Sequence, residues 1–150
     1  MKFTCSVDID LPLDRVVELF DNVANLKHWQ DGFISHEHVS GVPGESGTIS
    51  RLIYKSGKRE INLTETIVTN DLPAEFTALY EAKEMTNTMS NKFSSLTENS
   101  TRYIAEINYI KFNGIMVKLM ATVFPGMFKK QVQKWLNQFK GFCERSGTIA

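Results

Sequence analysis

The chain has 150 residues, 42% of them hydrophobic and 23% charged, with nine Gly and four Pro, which excludes a disordered or fibrous protein. Seventeen Lys and Arg offset seventeen Asp and Glu, and this balance argues against a nucleic-acid partner, whose phosphates call for a basic excess. A chain of this size hides roughly 68–70% of its unfolded surface, enough for a core without metal or disulfide, and it is read as one domain over 1–150.

Residues 2–10 alternate, with Phe3, Cys5, Val7 and Ile9 on one face, which predicts a strand ending at Leu11-Pro12. A helix follows, with Pro12 tolerated in its first turn, Asp14 near its N-terminus, and Val16, Val17, Leu19 and Phe20 as its apolar stripe. A second short helix over 22–28 takes Asn22 as cap and Leu26 and Trp29 as anchors, and Asp31-Gly32 ends it. From Phe33 to about Lys111 the apolar period is two. Turn signals at Val42-Pro43-Gly44, Ser56-Gly57-Lys58, Asn70-Asp71-Leu72-Pro73, Thr86-Asn87 and Glu98-Asn99-Ser100 divide this region into six strands. Connections this short require antiparallel pairing, so with the first strand a sheet of seven is expected. The segment from Ile115 to Phe124 is apolar nearly all round and meets a kink or break at Pro125-Gly126. Beyond it, Phe128, Val132, Trp135, Leu136, Phe139, Phe142 and Cys143 recur at helical spacing, which predicts a long helix lying on an apolar surface. The fold class is therefore α+β.

Alternation also assigns the strand faces. Glu65 shares a side with Ile61, Leu63 and Ile67, an arrangement that costs free energy unless the carboxylate is paired, protonated or open to water. An ion pair with Arg51 and a place in a wet cavity both fit that pattern. Phe76, Ala78, Tyr80 and Ala82 form one face of the next strand, Met89, Asn91 and Phe93 one of the strand after it, and Tyr103, Ala105, Ile107 and Tyr109 one of the last. Faces that mix Ala with Tyr, Asn and Glu beneath a helix rich in Met and Phe match the makeup of a small-molecule pocket. The expected walls are Trp29, Tyr80, Tyr103, Met120 and Phe124, with Glu65 or Asn91 holding the polar end of the ligand. Were the chain an enzyme, Glu65 would be the best candidate for a general base.

His36 and His38 lie two apart, but no Cys or acid completes a metal set, and no phosphate-cradle, nucleophile or dinucleotide motif occurs, so neither metal nor cofactor is expected. Cys5 and Cys143 lack metal or redox spacing and are read as reduced, buried side chains in a cytoplasmic protein without a signal peptide or membrane span. From Lys111 onward seven basic residues face one acid, a balance of +6, so the preceding residues carry −6. A basic C-terminal helix of this kind suits weak association with an anionic surface, and a homodimer stays open.

The order of strand, two short helices, six strands and one long helix resembles the START/birch-pollen-allergen-like (SRPBCC) superfamily, most closely its polyketide cyclase/dehydrase-like branch. The likeness is carried by Val7-Asp8-Ile9-Asp10-Leu11-Pro12, Asn25-Leu26-Lys27-His28-Trp29, Leu63-Thr64-Glu65-Thr66-Ile67, Asp71-Leu72-Pro73, Phe93, Thr101-Arg102, Lys118-Leu119-Met120, and the run from Phe124-Pro125-Gly126 to Phe139-Lys140-Gly141-Phe142-Cys143-Glu144. It implies a helix-grip fold, in which a curved seven-stranded antiparallel sheet holds the C-terminal helix over a hydrophobic cavity. It also implies either a carrier of a lipid, quinone or polyketide-like molecule or a cyclase/dehydratase-like enzyme. The scaffold alone does not choose between them.

Overall fold

The alternating N-terminal segment forms strand β1 (Lys2–Ile9), and Pro12 marks the entry to helix α1 (Leu13–Phe20) in a computed structural model that describes residues 1–148. Asn22 accepts a hydrogen bond from the Ala24 N–H at 3.0 Å and so caps a 3-10 turn (Val23–Asn25), which runs into the single-turn helix α2 (Leu26–Trp29). Gly32 then turns the chain at φ +85°, where a Cβ would collide with the Lys55 carbonyl. Six strands follow: β2 (Phe33–Ser40), β3 (Ile49–Ser56), β4 (Arg59–Asp71), β5 (Glu75–Glu81), β6 (Met85–Thr97) and β7 (Ser100–Phe112). They pair with β1 in one seven-stranded sheet of order β1-β7-β6-β5-β4-β3-β2, antiparallel throughout.

One boundary differs from the sequence reading. Thr86 and Asn87 lie inside β6 at a register shift, and the β5–β6 turn falls at 82–84 instead. Both keep ladder partners, Lys111 and Tyr109, and the residue the shift leaves unpaired is Ile110 of β7, so cross-strand pairing overrides the turn-like composition of Thr86 and Asn87.

Helix α3 (Ile115–Val123) leaves the sheet, and the chain breaks at Pro125 before the long helix α4 (Gly126–Thr148). Side chains of α4 secure it along the free edge of β1. Gln133 Nε2 donates to the Ser6 carbonyl at 3.0 Å, Lys140 Nζ to the Asp8 carbonyl at 2.6 Å, and the Asp10 N–H to Glu144 Oε2 at 2.9 Å. The apolar stripe of α4 enters the core, where Val132, Leu136, Phe139 and Cys143 are buried against β1, β7 and α1. Phe20 sits at the centre of an aromatic cluster with Trp29, Phe76, Phe93, Tyr103 and Phe139, its ring centroid 4.9–6.4 Å from theirs. No helix among the described residues is long and apolar enough to cross a membrane.

Burial separates the phenylalanines by their role in stability. Phe139 is fully buried whereas Phe124 is 58% exposed. Truncating Phe139 to Ala is expected to cost about 3–5 kcal/mol. Phe124→Ala should stay within about 0.5 kcal/mol of the parent. Urea unfolding of the two variants checks this contrast.

Candidate functional site

Strand register decides where the candidate residues stand. Glu65 pairs directly with Ser50 on β3 and Tyr80 on β5, and Tyr80 pairs in turn with Asn87 on β6. These residues form one row across the concave face, flanked by Leu63 with Leu52 on one side and Ile67 with Ala78 on the other. Tyr80 Oη donates to Glu65 Oε2 at 2.8 Å. Among the described residues Glu65 Oε1 receives no hydrogen bond, so that oxygen is available to a donor from outside the chain.

Arg51 is not the partner of Glu65. It stands opposite Thr64 and Glu37, on the outer face of the sheet, and is exposed, because odd and even positions of a strand point to opposite sides. The nearby cationic candidate is His36, which a register shift between Phe33 and Ser35 turns inward beside Leu52.

The surroundings of Glu65 set its chemistry. Burial among apolar neighbours pushes its carboxyl above the ordinary carboxylate value, opposed by the Tyr80 hydrogen bond and by the charge of His36. Burial likewise lifts Tyr80 well above the usual phenol range, with the Glu65 charge adding to the effect. Tyr54 on β3 is raised by burial and by Glu65, donates to Gln30 Oε1 at 2.6 Å, and stacks on Trp135 of α4 at 5.4 Å. A tyrosine held this far above neutral pH acts as a hydrogen-bond donor and not as a base.

The concave face has two halves. Near α1 it is filled: Trp29, Asn91 and Tyr103 are buried there, Tyr103 Oη donates to Asn91 Oδ1 at 2.5 Å, and Asn91 Nδ2 donates to the Phe76 carbonyl at 3.2 Å. Trp29 and Tyr103, expected as walls, and Asn91, expected to hold the polar end of the ligand, thus belong to the packed core. Toward the β4–β6 side Ile61, Leu63, Glu65, Tyr80, Met85 and Met89 are all half-buried. The face there is apolar and accessible, with Glu65 and Tyr80 as its polar fixture. Met120 and Phe124 stand on the outside of α3 and at its end, 36% and 58% exposed.

Sequence reasoning did not single out Tyr54, Trp135 or Gln138. Trp29 Nε1, Trp135 Nε1 and Gln138 Oε1 are buried without a hydrogen-bond partner among the described residues. The helical spacing of Trp135 marked it only as core, since burial of one indole atom has no signal in a sequence. Two depressions of about 390 and 350 Å³ lie elsewhere, one beside Val17 and Asp21 of α1 and one on the convex side around Thr4, Ser90 and Glu106.

No family model matches the sequence, and no curated protein matches it. Solved structures do. The chain superposes on the protein TTHA0849 from Thermus thermophilus with a TM-score of 0.78 at 18% identity, over 97% of this chain and 99% of that one. The Zhui aromatase/cyclase from Streptomyces sp. R1128 gives 0.81 at 12% identity, over 97% and 94%. Ginseng major latex-like protein 151 from Panax ginseng gives 0.73 at 17% identity, over 95% and 96%. Likeness at this level of identity is one of fold, and the fold is a helix-grip fold, one seven-stranded antiparallel sheet with a long C-terminal helix.

The raised carboxyl of Glu65 has a consequence for stability. A proton is held more tightly in the folded chain than in the unfolded one, so this group's contribution to stability is largest at low pH. It falls as pH rises through the ordinary carboxylate value of 4.5 and levels off above the elevated folded value. Glu65→Gln removes the titration. Its stability relative to the parent should therefore rise across that window, as read by urea unfolding at a series of pH values.

Proposed function

We propose that the chain binds a small apolar or amphipathic molecule on the half-buried part of the concave face. The polar end of the ligand would meet Glu65 and Tyr80, and its apolar body would lie against Leu63, Met85 and Met89. The observation that carries this reading is Glu65 itself. It sits on an apolar, accessible face, one oxygen is tied to Tyr80 at 2.8 Å, and the other takes no donor from the described residues. Burying apolar ligand surface supplies most of the affinity, at roughly 25 cal/mol per Å². A carboxylate beside a phenol that donates selects a ligand whose head carries its own donor, such as a hydroxyl or an enol.

A second reading rests on the same pair. A carboxyl raised by burial and held by a tyrosine is suited to take a proton beside a carbonyl, the work a cyclase or dehydratase needs. The likeness to an aromatase/cyclase supports this reading at the level of fold alone. Under it Glu65→Gln abolishes turnover of a polyketide-like substrate while leaving binding within a few-fold.

Native mass spectrometry of gently purified protein is expected to show a bound mass that denaturation releases. Titration with fatty acids, quinones and polycyclic aromatics then identifies the class, and Tyr80→Phe should weaken a hydroxylated ligand by about twofold to tenfold. A chain that arrives empty and ignores the whole panel would overturn the proposal.

A further inference from the structure

The apolar residues of α3 face outward. Ile115, Leu119 and Val123 fall on one side of this nine-residue helix with Met116 and Met120 beside them, and their exposure runs from 36% at Met120 to 85% at Ile115. The smaller Val117 and Ala121, on the opposite side, are half-buried. Phe124 and Met127 continue the exposed surface into the start of α4 at 58% and 48%. A surface helix ordinarily shows the reverse polarity, and contiguous exposed apolar side chains mark an interaction site.

Cations rim this patch. Lys111, Lys118, Lys129 and Lys130 are exposed and take part in no ion pair among the described residues, and no Asp or Glu occurs between residues 107 and 143. The lysines further along α4 are engaged elsewhere: Lys134 pairs with Asp31 at 2.7 Å and Lys140 with Glu144 at 2.7 Å.

We propose that α3 and the first turns of α4 dock on an anionic lipid surface, with Ile115, Leu119 and Val123 entering the acyl boundary and Lys118, Lys129 and Lys130 meeting headgroup phosphates. An apolar helix face with a cationic rim is the pattern of an interfacial helix, and each lysine near such a surface adds about fivefold to partitioning. A second copy of this chain fits the patch poorly, because a two-fold contact would set the lysine rim against itself. The surface association expected of the basic C-terminal helix is thereby assigned mainly to the segment preceding it. The inference does not depend on the ligand reading.

Cosedimentation with vesicles tests it, using phosphatidylcholine alone and phosphatidylcholine with about 30 mol % phosphatidylserine. The full chain should pellet with the anionic vesicles and much less with the neutral ones, and should be released as salt rises from about 0.1 to 1 M. Ile115→Ser combined with Leu119→Ser and Val123→Ser should cut pelleting by about tenfold while circular dichroism and the thermal midpoint stay unchanged. Val68→Ser, at an equally exposed apolar position on β4, should have no effect. The proposal is overturned if the parent fails to pellet with anionic vesicles, if it pellets equally with neutral ones, or if the triple variant pellets like the parent. It is overturned too if the parent sediments as a dimer that the triple variant converts to monomer, since the patch would then belong to a second copy.

Discussion

One helix has to cover a seven-stranded sheet. A helix is about 10–12 Å across, and six strand intervals of about 4.8 Å make roughly 29 Å, so contact along the whole width is impossible without strong curvature. The chain resolves this by fixing α4 along one margin, where Gln133 and Lys140 hold the carbonyls of Ser6 and Asp8. The apolar stripe from Val132 to Cys143 then fills the space above β1 and β7, with α1 and α2 closing the end through Phe20 and Trp29. What remains is the half-buried face of β4 to β6; past it, Trp135 of α4 stacks on Tyr54 of β3 and Lys134 pairs with Asp31 ahead of β2. The position of the candidate site follows from where the long helix is tied.

Most of the architecture was legible because it rests on periodicity. The change from period two to period 3.6 near Lys111 separates sheet from helix, and short connections force antiparallel order. The faces of β4 to β7 were legible for the same reason: Glu65, Tyr80, Asn91 and Tyr103 all point to the concave side. Their division between packed and open halves was not legible. Asn91 and Tyr103 bond each other beneath α1, whereas away from it Tyr80 ties one oxygen of Glu65 and leaves the other without a donor among the described residues. Alternation says which side a residue takes, but only the helix placement says what lies above it.

Two further points turned on register and asymmetry. Arg51 and Glu65 are a natural charge pair on paper, yet cross-strand pairing sets Glu65 against Ser50 and Arg51 against Thr64, so they occupy opposite sides of the sheet. Helix α3 is apolar nearly all round, and such a sequence carries little information about which side faces the protein. In the structure its small residues turn inward and its large ones outward, which places Met120 and Phe124 on the exterior.

The hydrogen bonds from α4 to β1 carry one more implication. An unprotected outer strand is a template on which another polypeptide can add by backbone pairing, the first step toward fibrils. Here one border of the sheet is occupied by side chains of its own helix, and the other, β2, is interrupted by two register shifts and carries exposed Glu37 and His38. Neither border offers a straight ladder, so the chain can carry adhesive apolar residues on a helix without inviting growth from its strands.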